Sequence, residues 1–234
     1  MDKLQKYKPT DKMIDLIGDN YSLLQVMSRF GLSLGFGDKT VKEVCEMNNV
    51  DCQTFLVVVN FMAEGLSRMD GSDDDISIPA LVDYLRQAHI YFLDYCLPAI
   101  RRKLIEAIDC SQDDVSFLIL KFFDGYMREV RKHMEYEEKT VFKYVDTLIH
   151  GNAPKNYQIS TFSKHHDQVG ERLTELKNII IKYCPAKANT NVLNAALFDI
   201  YACEEGLESH CKVEDYLFVP AILKLERRMR ENEK

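Results

Sequence analysis

The chain has 234 residues, 46% of them hydrophobic and 29% charged, which is enough to bury a core without disulfide bonds. It carries 30 basic against 37 acidic residues, and this acidic balance argues against a nucleic-acid partner. The longest apolar stretch is far shorter than the ~20 residues of a membrane span, and the N-terminus shows no apolar signal segment. We therefore expect a cytoplasmic protein with no membrane partner, whose seven scattered cysteines stay reduced.

The N-terminal part of the chain is expected to form three or four short helices. Thr40 and Glu43 have the spacing of a capping box, which predicts a helix over residues 41–47. Asp51 is suited to cap a further helix over residues 53–64. Two short helices joined by a tight turn also have the pattern of a helix-turn-helix, but the acidic charge of this part disfavours DNA as its ligand.

A linker is expected over residues 69–75, where Gly, Ser and four acidic residues stand together. We place a domain boundary there, which gives a small helical N-terminal domain over residues 1–75 and a larger domain over residues 76–234. The small domain offers a surface for a homodimer or for a basic partner, and the sequence leaves the oligomeric state open.

The larger domain is predicted to contain four long helices, over residues 79–107, 113–150, 158–183 and 191–230. Pro79 opens the first helix, where its missing N–H costs nothing, and Pro98 is expected to kink that helix. Short links between long helices favour antiparallel neighbours. The predicted fold is therefore all-α, an up-down-up-down four-helix bundle preceded by a small helical domain.

Two of the six histidines open an H-x-x-x-E pattern, at His133–Glu137 and at His210–Glu214. Residues four apart share one face of a helix, ~6 Å apart along its axis. Each pair falls on a mostly apolar stripe, so both are expected to point into the bundle core, while Glu135 and Glu138 face solvent or the rim of a channel. Because a buried carboxylate is costly unless it is paired or bound to a metal, the two patterns indicate metal ligands.

The remaining candidate ligands follow from a repeated spacing. The same interval of 44 residues separates His89 from His133 and His166 from His210. At ~1.5 Å per residue, the members of each pair reach nearly the same depth in the bundle. Four histidines and the two glutamates therefore converge in one layer and predict a site for two metal ions, with His165 as an alternative to His166.

Cys96, Cys203 and Tyr126 also fall on inward-facing stripes. Cysteine is among the most buried residue types and packs as a small apolar side chain. We therefore expect these three residues to be part of the core, where a tyrosine close to the metals could also donate a hydrogen bond to a bound oxygen species.

The donor set of the predicted site favours iron. Imidazole and carboxylate ligands without a thiolate suit iron first, and manganese or zinc second. If each ion is about six-coordinate, four imidazoles, two bridging carboxylates and an oxo or hydroxo bridge leave about one open position per ion for a diatomic molecule or a peroxide. Ferritin-type bundles use Glu-x-x-His pairs instead, a pattern that this site lacks. No catalytic residue beyond the metal centre is predicted.

These motifs resemble those of the hemerythrin-like di-iron domain. From about Leu16 onward, the whole chain resembles the repair-of-iron-centres family, bacterial proteins linked to iron–sulfur cluster repair. The segment 166–170 is similar to that family's His-Asp-x-x-Gly, and the segment 210–220 is similar to its His-x-x-x-Glu-x-x-x-Leu-Phe-Pro ending. His89, followed by Leu and Pro at residues 97–98, is similar to the family's first helix.

The segment 31–45 resembles the short leading domain of the same family, with Gly35-Phe36 in place of that family's Cys-Cys pair. The resemblance implies a role in the nitrosative or oxidative stress response, by donation of iron to damaged iron–sulfur proteins or by reduction of nitric oxide (NO). NO, O₂ or a peroxide is the implied small ligand. Loss of the Cys-Cys pair raises the alternative of a non-catalytic O₂ or NO sensor or carrier that signals through the N-terminal domain.

Overall fold

The computed structural model describes residues 7–64, 76–108, 114–152, 157–164, 169–185 and 188–232. Within these ranges the chain is helical and has no strand, apart from one isolated bridge between Lys12 and Thr40. The predicted all-α fold is confirmed, as a helical bundle preceded by short N-terminal helices. In the same ranges, no helix combines the length and the apolar character that crossing a membrane requires.

The N-terminal helices are α1 (Met13–Asp19), α2 (Leu23–Arg29), α3 (Val41–Met47) and α4 (Cys52–Glu64). The capping box before α3 is confirmed, because the Thr40 hydroxyl accepts from the N–H of Glu43 while the Glu43 carboxylate accepts from the N–H of Thr40. Asp51 caps α4 as predicted, since its carboxylate accepts a hydrogen bond of 2.7 Å from the N–H of Thr54.

Four long helical runs of the described chain follow, and three of them contain a π-helical segment between two α-helices. The first two runs consist of α5 (Ile78–Ile90), π1 (Tyr91–Cys96), α6 (Leu97–Ala107), α7 (Asp114–Tyr136), π2 (Glu137–Val141) and α8 (Phe142–Ile149). The last two consist of a 3₁₀ segment (Ile159–Lys164), α9 (Val169–Tyr183), α10 (Thr190–Val213), π3 (Glu214–Phe218) and α11 (Val219–Asn232). The predicted bounds of the first, second and fourth runs agree within two residues, whereas the third consists of a 3₁₀ segment and α9, with residues 165–168 between them outside the described residues.

Two of the π-helical segments are associated with proline. Pro98 is the second residue of α6 after π1, and Pro220 is the second residue of α11 after π3. Proline has no N–H, and its ring clashes with the carbonyl four residues before it, so the α-helical hydrogen-bond pattern is interrupted there. The effect predicted for Pro98 thus takes the form of a wider helical turn, a feature often found at functional sites.

Packing divides the chain into two compact units, one made of residues 1–88 and 212–234 and the other of residues 89–211. The predicted linker over residues 69–75 lies outside the described residues. A domain boundary at that linker stays a prediction.

Each unit has its own buried aromatic core. In the first unit, Phe30 contacts Phe55 and Tyr84, with ring centroids 5.4 Å and 4.9 Å apart. In the second, Phe123 lies 6.4 Å from Tyr126, and both are at most 1% exposed. Burial of such large side chains is the main stabilising contribution to each unit.

Candidate metal centre

Four buried side chains bring their possible metal-ligating atoms within 4.8 Å of one another: His89, Glu137, His210 and Glu214. None of the four is more than 3% exposed. Across the part of the chain that the structure describes, this is the only such group of three or more histidine, cysteine or acidic residues. The cluster contains two imidazoles and two carboxylates.

Both glutamates of the cluster are the first residue of a π-helical segment. Glu137 begins π2, one turn after His133, and Glu214 begins π3, one turn after His210. In each H-x-x-x-E pattern, the histidine therefore lies on the last α-helical turn and the glutamate opens the wider turn. The position of Pro220 is a sequence signal for π3, whereas π2 has no proline after it.

The Glu137 carboxylate contacts three histidines. Its Oε1 lies 2.7 Å from Nε2 of His133, and its Oε2 lies 2.8 Å from Nε2 of His89 and 3.9 Å from Nε2 of His210. Burial alone would raise the pKa of Glu137, but the three imidazole rings around its carboxylate hold its pKa well below the usual range. A lowered pKa favours the ionised carboxylate, which is the state that binds a metal.

The His89 ring is held on both of its nitrogens. Nε2 faces Glu137, and Nδ1 lies 3.0 Å from a carboxylate oxygen of Glu138. Burial lowers the pKa of His89, but the two carboxylates outweigh burial and the net pKa is raised. The ring also stacks on Phe142, with centroids 5.5 Å apart, and meets the ring of His210 at 5.2 Å.

Glu138 contacts the site, although the sequence did not indicate this contact. We expected it to face solvent or the rim of a channel, and its side chain is 37% exposed, but its carboxylate reaches His89. Histidines that bind metals commonly bond their second ring nitrogen to a carboxylate, which orients the ring. The only sequence signal was its place next to Glu137.

Of the other predicted ligands, one contacts the cluster and one lies outside the described residues. His133 contacts Glu137 and is 16% exposed, but it is not one of the four clustered residues. His166 and the alternative His165 lie outside the described residues. The complete ligand set of four histidines and two glutamates therefore stays a prediction.

The donor chemistry of the cluster fits a transition-metal ion. Glu137 and Glu214 are both fully buried, and two carboxylates buried close together repel each other unless positive charge lies between them. Imidazole nitrogen and carboxylate oxygen together suit iron, manganese and zinc. The fold and the site define a helical-bundle protein with a metal-binding centre.

A family model described as "Hemerythrin HHE cation binding domain" matches residues 80–222. The match covers more than half of the chain and includes all of the predicted ligands. The chain therefore belongs to the hemerythrin HHE cation-binding domain family, and the predicted resemblance to hemerythrin-like proteins is confirmed. A comparison with curated proteins found no match.

Proposed function

We propose that this protein is a di-iron protein of the iron–sulfur cluster repair type, which acts on NO or O₂ in the cytoplasm under nitrosative or oxidative stress. The observation that supports the proposal is the convergence of two buried carboxylates and two buried imidazoles at one point. The resemblance of both the leading segment and the bundle to repair-of-iron-centres proteins supports the finer assignment.

The repeated sequence pattern supports two ions rather than one. Each half of the bundle domain supplies a single histidine followed, after the same interval, by an H-x-x-x-E pair. In our proposal the two ions would be held by four histidines and two glutamates, namely His89, His133, His166, His210, Glu137 and Glu214. A carboxylate has two oxygens, so each glutamate can contact both ions.

The side chains around the cluster favour a small uncharged ligand. Iron at this site would supply one-electron redox chemistry toward a diatomic molecule. Phe142 stacks on His89, and the ring of Phe92 lies 6.2 Å from that of His210, so aromatic rings cover two of the imidazoles. Such an apolar wall disfavours charged molecules, because they lose their hydration on entry, whereas NO and O₂ lose little.

The test is an anaerobic titration with NO. Protein from iron-supplemented cells is analysed for metal, reduced, and titrated while the visible spectrum and N₂O are followed. We expect two iron ions per chain and a spectrum that changes on adding NO, with bands that decay as N₂O forms. A stable adduct without N₂O would contradict the reductive activity and favour the sensor or carrier.

A matched pair of variants tests the site itself. Glu137→Gln removes a buried ligand charge, whereas Glu135→Gln removes an exposed charge two residues earlier that pairs with Lys139. We expect Glu137→Gln to lose iron and Glu135→Gln to retain it. Equal iron content in both variants, or no iron in the wild-type protein after supplementation, would contradict the di-iron proposal.

A further inference from the structure

Two buried cysteines each lie seven residues along the chain from a histidine of the metal centre. Cys96 ends π1, seven residues after His89, and Cys203 lies on α10, seven residues before His210. Both side chains are buried, and the two thiols interact with each other, which places the two sulfur atoms side by side in the core.

Tyr126 is a third buried polar residue of this core. It precedes His133 by seven residues and is 1% exposed. Its hydroxyl makes no hydrogen bond to any residue that the structure describes. The burial expected for these three residues is confirmed, and two of them, Cys96 and Cys203, interact through their thiols.

We propose that Cys96 and Cys203 are a redox-active pair, a modification site that hydrogen peroxide converts from a dithiol to a disulfide. The first thiol attacks one peroxide oxygen, which breaks the O–O bond, forms a sulfenic acid and releases one water. The second thiol then displaces the sulfenic oxygen, which forms the S–S bond and releases a second water. The two sulfurs lose two electrons and two protons in total, and the peroxide takes up both.

The contact between the two thiols favours the disulfide over separate oxidation of either cysteine. A sulfenic acid formed on one sulfur has the other thiol beside it, so it condenses before a second peroxide molecule reaches it. The product is uncharged, so burial does not oppose it. Hydrogen peroxide is small and uncharged and can reach the pair through local opening of the helices.

The modified state would be slow to form and slow to reverse. The hydrogen bond with Cys96, and then burial, hold the pKa of the Cys203 thiol well above its usual value, so little thiolate is available to attack. A thiol of high pKa is also a poor leaving group in thiol–disulfide exchange. The bond would join the segment that follows His89 to the helix that carries His210, and would thereby restrict two ligand-bearing helices.

The test uses the full chain with a chelator present, so that its outcome does not depend on iron. The protein is treated with hydrogen peroxide, alkylated under denaturing conditions without reductant, digested with trypsin and analysed by mass spectrometry. We expect peptide 87–101, which contains Cys96, to be cross-linked to peptide 188–212, with the loss of two hydrogen atoms. Reductant added before alkylation should separate the two peptides.

Peptide 188–212 contains both Cys203 and Cys211, so two variants identify the partner. The cross-link should persist in Cys211→Ser and disappear in Cys203→Ser, with circular dichroism to confirm that both variants fold. If a variant fails to fold, the cross-link in the digest of the wild-type protein still tests the proposal. The proposal would be overturned if the cross-link were absent and both cysteines were alkylated or oxidised separately. A cross-link that requires Cys211 would overturn it as well.

Discussion

Buried polar side chains in the N-terminal helices differ from those at the metal centre in how their partners are arranged. Arg29 on α2 is buried, donates a hydrogen bond of 3.2 Å to the hydroxyl of Tyr84, and lies over the ring of that tyrosine. Thr54 on α4 is also buried, and its hydroxyl accepts a hydrogen bond of 2.8 Å from the N–H of Ser77. Each contact joins parts of the chain far apart in sequence, so a structural role explains both residues.

At the metal centre, by contrast, the buried polar groups lie next to one another. Two carboxylates and two imidazoles lie within 4.8 Å of one another, an arrangement that places like charges together. Three histidines contact the single carboxylate of Glu137. One such contact would be enough to join two helices. Burial of a polar group therefore does not by itself indicate function. Convergence of several side chains that suit one metal does indicate it.

Removing a ligand from the metal cluster is expected to have the largest effect. We expect Glu214→Gln to reduce iron affinity by more than the ~10–100-fold typical of residues that only support a ligand, because it removes a buried anionic donor. Glu208→Gln, an exposed position on α10, is the control and should leave affinity unchanged. Iron content by elemental analysis and affinity by chelator competition provide the measurements. Equal affinity in the two variants would show that Glu214 is buried for a structural reason.

A smaller effect is expected from Glu138, which acts through His89. Glu138→Gln should weaken iron binding by ~10–100-fold, and Glu138→Asp should restore part of the loss. Protonation of His89 competes with metal binding, so affinity should fall as pH drops through the pKa of His89.

Glu138 contributes to the upward shift of that pKa, so the variant should show its loss of affinity at lower pH than the wild type. Chelator competition between about pH 8 and pH 5 measures both effects. An unchanged pH profile would mean that Glu138 does not support His89.

Much of the fold and part of the site could be predicted because their signals are local. The spacing of apolar residues and the caps at Thr40 and Asp51 define helix bounds, since each depends on residues within one or two turns. The H-x-x-x-E pairs are local in the same way. The interval of 44 residues placed His89 at the level of the second helix's ligand pair, where it meets Glu137, whereas the depth of His166 stays a prediction.

Contacts between distant residues could not be predicted in this way. Glu138 reaches His89 across 49 residues, and Cys96 meets Cys203 across more than a hundred. No pattern within either segment encodes these pairings, because they depend on how whole helices pack. The same limit explains why Cys96 and Cys203 were expected only as small core residues.

The contact between Arg29 and Tyr84 in the first unit can be tested in the same way. Tyr84→Phe removes the hydroxyl that accepts the hydrogen bond from the buried guanidinium of Arg29. We expect the free energy of unfolding to fall by about 1.5–3 kcal/mol, the range for a hydrogen bond to a charged group, while iron content stays unchanged. Urea denaturation and elemental analysis measure the two. Loss of iron without loss of stability would contradict a purely structural role for this contact.

The smallest expected effect concerns an ion pair that is neither deeply buried nor part of a cluster. Arg101 and Asp124 are hydrogen-bonded at 2.6 Å and 3.1 Å, with side chains 40% and 32% exposed. The guanidinium of Arg101 lowers the pKa of Asp124 below its ordinary value of 3.8. A lowered folded-state pKa means that the pair stabilises the protein above that ordinary value and stops doing so as pH falls through the lowered pKa.

Because water screens the pair, Asp124→Asn should reduce the free energy of unfolding by less than about 1 kcal/mol at neutral pH. The difference from wild type should shrink further in acid and in high salt, and iron content should stay the same. Urea denaturation at neutral and acidic pH provides the measurement. A loss as large as that of Tyr84→Phe would show that exposure is a poor guide to which polar contacts stabilise this fold.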